Sequence, residues 1–99
     1  MTAIDLSGKT ALVTGGGQGL GAATAAALAG AGARVVVNYF NDAGGVNRLR
    51  ADETASAIGP SVAAMEADVR DPAALTAMFE AIAARFGGID IVVNNAAIL

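Results

Sequence analysis

Eight consecutive residues, Thr14-Gly15-Gly16-Gly17-Gln18-Gly19-Leu20-Gly21, carry the most visible chemistry in this chain. They follow an apolar run, Ala11-Leu12-Val13, and lead into an alanine-rich stretch. Strand, glycine loop, helix start is the order in which a backbone holds a pyrophosphate. Glycines let the chain turn sharply and come close to the phosphates, while the helix start offers N–H groups and a partial positive charge. Two registers fit: Gly15-x-x-x-Gly19-x-Gly21, and Gly17-x-Gly19-x-x-Ala22, which also satisfies the usual dinucleotide fingerprint. Spacing alone does not choose between them. The plain alternative is a glycine-rich hairpin or a tight helix–strand contact with no ligand. Against it, strand, loop, helix and second strand all stand where the fingerprint requires, so the chain reads as a dinucleotide binder.

Composition excludes several other chemistries. The 99 residues contain no Cys and no His, which removes disulfides, thiol nucleophiles, imidazole bases and the usual zinc ligands. No metal site is expected. The net charge is −3 and the six basic residues are scattered, which argues against nucleic acid. Met1 to Lys9 lacks the charged-then-apolar layout of a signal peptide, and Ala22 to Ala33 is too short and too rich in Ala and Gly to span a bilayer. A cytoplasmic protein without membrane partners is expected. The length suits one small domain, and with 4% aromatics its core must rest on Val, Leu, Ile, Met and three Phe.

The elements that must position the loop alternate. Thr10 to Thr14 reads as a strand and Gly19 to about Ala31 as a helix ended by Gly30 and Gly32. Arg34-Val35-Val36-Val37-Asn38-Tyr39 is a β-branched run suited to a strand covered on both faces. Asn47 to Ile58 reads as a second helix anchored by Leu49 and Ile58 and stopped by Gly59-Pro60, and Val62 to Ala67 as a third strand. Asp71-Pro72 gives an N-cap followed by Pro at the first helical position. Leu75, Met78, Phe79, Ile82 and Phe86 then form a core-facing stripe that Gly87-Gly88 ends. Ile89 to Val93 is a fourth strand, closing on Asn94-Asn95-Ala96-Ala97. Right-handed crossovers turn this β-α-β-α-β-α-β order into an α/β fold, a Rossmann-type doubly wound parallel sheet in order 3-2-1-4.

Four features in this order resemble the N-terminal part of a short-chain dehydrogenase/reductase: Leu6-Ser7-Gly8-Lys9, Thr14 through Gly21, Asp68-Val69 and Asn94-Asn95-Ala96. The chain is similar to members related to 3-oxoacyl carrier-protein reductases. The resemblance spans residues 1–99, which would be the first part of a single NAD(P)-binding domain, less than half of it. It implies an oxidoreductase that moves a hydride between a nicotinamide and a carbonyl or alcohol carbon. Gly15, Gly19 and Gly21 would form the phosphate turn, with Gly17, Gln18 and Leu20 alongside. Asn38 and Tyr39 would stand at the ribose end of the second strand. Asp68 would accept from the adenine amino group with Val69 on the ring, and Asn94 and Ala96 would line the pocket beside the ribose. Each has a plain alternative, Asp68 as a turn cap and Asn94-Asn95 as a turn pair.

The second strand ends on Asn38-Tyr39-Phe40-Asn41, with no carboxylate before Asp42. Nothing there repels a 2′-phosphate, so NADP is the preferred cofactor, with NAD second. Against this stand Gln18, where NADP-using relatives often carry Arg or Lys, and two further departures, Gly17 for a common Ser and Ala97 for the usual Gly. The family's catalytic Tyr-x-x-x-Lys cannot be formed here, because Tyr39 is the only Tyr and Lys9, the only Lys, precedes it. No catalytic residue is assigned. The 99-residue chain is expected to be inactive alone, with its fourth strand an open apolar edge, and the complete enzyme to be a homo-oligomer. A standalone nucleotide-binding or interaction module is the rival reading.

Overall fold

The computed structural model describes residues 4–15, 17 and 19–95. Seven elements alternate: β1 (Thr10–Thr14), α1 (Gly19–Gly30), β2 (Arg34–Tyr39), α2 (Val46–Ile58), β3 (Val62–Glu66), α3 (Pro72–Phe86) and β4 (Ile91–Asn94). All neighbouring strands run parallel, in the order β3-β2-β1-β4 expected from the alternation. The two central strands are β1 and β2. Leu12, Val13, Val35, Val36 and Val37 are fully buried there, which is why both strands read as unbroken apolar runs rather than alternating ones.

Alternate side chains feed two cores. Ala11, Val13, Val35 and Val37 face α1 and α2 and meet Ala25, Ala51 and Ala55. Leu12 and Val36 face α3 and meet Met78 and Ile82. On the α1/α2 side the helices present alanine, so they lie close to the sheet. This corrects one expectation. Leu49 is not an anchor of α2 but 59% exposed, and the helix seats on Ala51 and Ala55 with Ile58 at its end. A leucine would hold α2 further from the sheet than alanine does.

The α3 side is built from larger residues. Asp71 caps the helix by accepting from the Ala73 N–H at 3.0 Å, Pro72 opens it, and Gly87 closes it in the left-handed region with its N–H on the Ala83 carbonyl at 2.8 Å. Within the expected stripe Met78 and Ile82 are buried and Leu75 and Phe86 pack at the rim, but Phe79 turns outward and is 36% exposed. Met78 and Phe79 are adjacent, about 100° apart around the helix, so one sheet face does not take both. At the β4 edge Val92 is 55% exposed.

Candidate functional site

The carboxyl ends of β1 and β4 lie side by side where strand order reverses, and that crevice is where open α/β sheets bind ligands. The chain leaves β1 through Gly15 at φ +64° and enters α1 at Gly19 with φ +59°. Both angles lie in the left-handed region that glycine reaches without strain. Two asparagines from flanking strands fix the first of these turns. The Gly15 N–H donates to Asn38 Oδ1 at 3.4 Å, and the Gly15 carbonyl accepts from Asn95 Nδ2 at 3.3 Å. The Thr14 hydroxyl ties the same strand tips, facing the Val93 carbonyl at 3.3 Å and Asn94 Oδ1 at 3.2 Å while accepting from the Asn95 N–H at 2.9 Å.

Asn38 is therefore a support beneath the loop. It is 2% exposed, and its Nδ2 donates to the Ala67 carbonyl at 3.1 Å, with the Met65 and Tyr39 carbonyls at 3.4 Å and Met78 Sδ at 3.6 Å. One buried amide thus links the tips of β1, β2 and β3 to α3. Gly17 has a different reason to be glycine. A Cβ there would lie 3.3 Å from the Ala51 backbone and Cβ of α2, and the Gly17 carbonyl accepts from Thr54 Oγ1 at 2.7 Å. Helix α2 thus backs the loop directly, and a serine side chain at this position would press on it. Behind the loop, α1 opens with no acidic residue in its first turn, as an anion site at a helix start requires.

A second cluster lies at the tips of β2 and β3. Asp68 accepts from Arg70 Nε at 3.0 Å and Nη2 at 3.1 Å, and from the Arg70 backbone N–H at 3.0 Å. These hydrogen bonds, the side-chain one foremost, hold the Asp68 carboxyl below its ordinary value. The Arg70 guanidinium also lies 5.3 Å from the centre of the Phe40 ring, just past the end of β2. Asp68 does cap a turn, and its carboxylate stays an acceptor at the sheet's carboxyl edge. Two carboxylates approach the β2 tip: Asp42 accepts from the Asn47 N–H at 3.1 Å and Glu66 from the Asn41 N–H at 3.3 Å.

The strand ends therefore gather Gly15, Gly17, Gly19, Asn38, Tyr39, Asp68, Val69 and Asn94 along one edge. Leu20, in the first turn of α1, is 75% exposed, while Gly21 is buried against the sheet. Gln18 and Ala96 lie outside the described residues. Sequence reasoning missed Asn95, Thr54 and Arg70 as parts of this edge. Asn95 could have been found, since it adjoins Asn94. Arg70 could have been found too, since it grips Asp68 two residues away, whereas Thr54 acts on Gly17 across the fold and leaves no local signal. Among the described residues no group of acidic side chains is placed to hold a metal ion, and no helix is long and apolar enough to cross a membrane.

Known proteins share this fold and much of this sequence. Residues 9–99 match the short chain dehydrogenase family. The chain belongs to that family. Over 94 residues it is 46% identical to versicolorin reductase of Emericella nidulans, covering 95% of this chain and 35% of that protein. A 3beta-hydroxysteroid dehydrogenase of Eggerthella lenta is 46% identical over 95 residues, with the same coverage. Among solved structures, a dehydrogenase/reductase from Sinorhizobium meliloti superposes with a TM-score of 0.86 at 41% identity, over 97% of this chain and 37% of the other. A 3-ketoacyl-(acyl-carrier-protein) reductase from Brucella melitensis, complexed with NADH, gives 0.82 at 38% identity over 95% of this chain and 36% of the other. This short-chain dehydrogenase chain thus spans about a third of the length of these relatives.

Proposed function

We propose that this chain is the dinucleotide-binding part of an NADP-preferring oxidoreductase that interconverts a carbonyl and a secondary alcohol. The observation that carries the reading is the β1–α1 glycine turn, fixed at Gly15 by Asn38 and Asn95 at the point where strand order reverses. A turn held on both sides offers its backbone to a pyrophosphate without reorganising, with the Gly15 N–H itself spent on Asn38, and preorganisation of this kind raises affinity. Asp68, its carboxylate held in place by the Arg70 hydrogen bonds, accepts from an adenine amino group, and Val69 lies beside it for the ring. The bound nicotinamide supplies the hydride chemistry. The residues described here bind and orient it, and none of them is given the role of catalytic acid.

Preference for NADP rests on the β2 tip. Asn38 is committed beneath the loop and Tyr39 packs into the core, so β2 itself offers no carboxylate to a ribose. Arg70, held over Phe40, supplies the cation that the glycine loop does not. Glu66 works against it and keeps the preference modest. Titration with NADPH and NADH at fixed ionic strength tests this. NADPH is expected to bind more tightly, with Arg70→Gln narrowing the gap and Glu66→Gln widening it. Equal or reversed affinities in the unmodified protein would overturn the preference while leaving the dinucleotide site intact.

A further inference from the structure

A cavity of about 410 Å³ lies at the opposite end of the sheet, between the start of β3 and the last turn of α3. Its distance from the glycine loop is about one strand length, roughly 20 Å. Phe86, Ala63 and Pro60 supply apolar wall, and Ser61 and two arginines, Arg34 and Arg85, supply donors. The size falls within the range of small-molecule pockets, which typically measure about 300–1,000 Å³. Ala63 is the smallest side chain on that wall, and its shortness leaves the space open.

The charges are the unusual part. Both guanidiniums approach one ring, Arg34 at 5.9 Å and Arg85 at 5.0 Å from the Phe86 centroid. Two like charges drawn to one ring repel each other, and neither has an ion-pair partner among the described residues. Asp90, at the same end of the sheet, is turned onto the Thr10 N–H at 2.8 Å. Arg85 also complements the partial negative charge at the end of α3, but that does not account for Arg34. In a chain of net charge −3 with six basic residues, two of them border this one cavity.

We propose that this cavity is a second ligand site, taking the phosphate of a phosphomonoester with a small flat apolar body. Arginine forks match phosphate oxygens, two of them match a dianion better than a monocarboxylate, and the Ser61 hydroxyl adds a third donor. The apolar body lies against Ala63 and Pro60. The cavity borders β3, the sheet edge away from β4, and no residue of the nucleotide edge lines it.

The test is an NMR titration of the protein that carries this chain, with phenyl phosphate as probe and benzoate as comparison. The amide spectrum of each variant reports its fold. Expected are saturable shifts at the Arg34 and Arg85 side-chain Nε–H groups and at Phe86, with phenyl phosphate bound more tightly than benzoate. Arg34→Gln and Arg85→Gln should each weaken binding about tenfold or more. Ala63→Leu, which fills the space and leaves both charges, should abolish it. No saturation at millimolar phenyl phosphate, binding unchanged in both glutamine variants, or benzoate binding as tightly would overturn the proposal.

Discussion

Replacing Asn38 with leucine tests the support beneath the glycine loop. The substitution keeps a side chain of similar size but removes the donor facing the Ala67 carbonyl at 3.1 Å and the acceptor facing the Gly15 N–H at 3.4 Å. A buried carbonyl left without a donor costs about 1–3 kcal/mol. Gly15 is only half-buried and its bond is long, so its N–H turns to water and adds little. The expected loss of about 1–3 kcal/mol is a sizeable share of a typical stability of about 5–15 kcal/mol. Urea denaturation of the protein that carries this chain reads it directly. At a slope of about 1–3 kcal/mol per molar, the midpoint should fall by about 1 M. Asn38→Asp should do no better, because it sets a carboxylate oxygen against the Ala67 carbonyl. An Asn38→Leu midpoint equal to that of the unmodified protein, at unchanged slope, would refute the reasoning.

Other outcomes follow from the same contacts. Gly17→Ala should cost about 1–3 kcal/mol by crowding Ala51, and Gly19→Ala about 1–2 kcal/mol through its left-handed φ alone. Paired Ala51→Gly should relieve the first only in part, because the Ala51 backbone stays equally close, and leave the second unchanged, as urea midpoints compared with that of Ala51→Gly alone would show. Ile82→Ala, in the fully buried centre of the α3 core, should cost about 2–5 kcal/mol, read as a fall in thermal midpoint. Asp68 has a folded value depressed by Arg70, so its contribution is present above its unfolded value, about 3.9, and is lost as pH falls through the lower folded one. Asp68→Asn should therefore lower the thermal midpoint at pH 7, and the difference should shrink as pH falls below the unfolded value. A difference independent of pH would count against the Arg70 latch.

Much of the architecture was legible because its causes are local. The valines of β2, the Asp71-Pro72 start and the Gly87 stop of α3 each impose their conformation within a few residues, and the parallel order follows from the alternation. The seating of α2 was not legible. A helix that meets a glycine loop is held by its smallest residues, so Ala51 and Ala55 do the work expected of Leu49. The site divides the same way. Gly15 and Gly19 announce themselves by type and spacing, and the structure gives both a positive φ. Asn38 was singled out for its place at a strand end, but its buried amide reaches partners up to 40 positions away, which no spacing in the sequence encodes.

The most direct measurement of the central claim is an amide chemical-shift titration of the protein that carries this chain with NADPH. The account predicts saturable shifts concentrated at Gly15, Gly17, Gly19 and Leu20, at Asp68 and Val69, and at Asn94 and Asn95, with β-strand starts such as Arg34 and Val62 unmoved. Absence of saturable binding, or shifts centred away from the carboxyl ends of the strands, would contradict it.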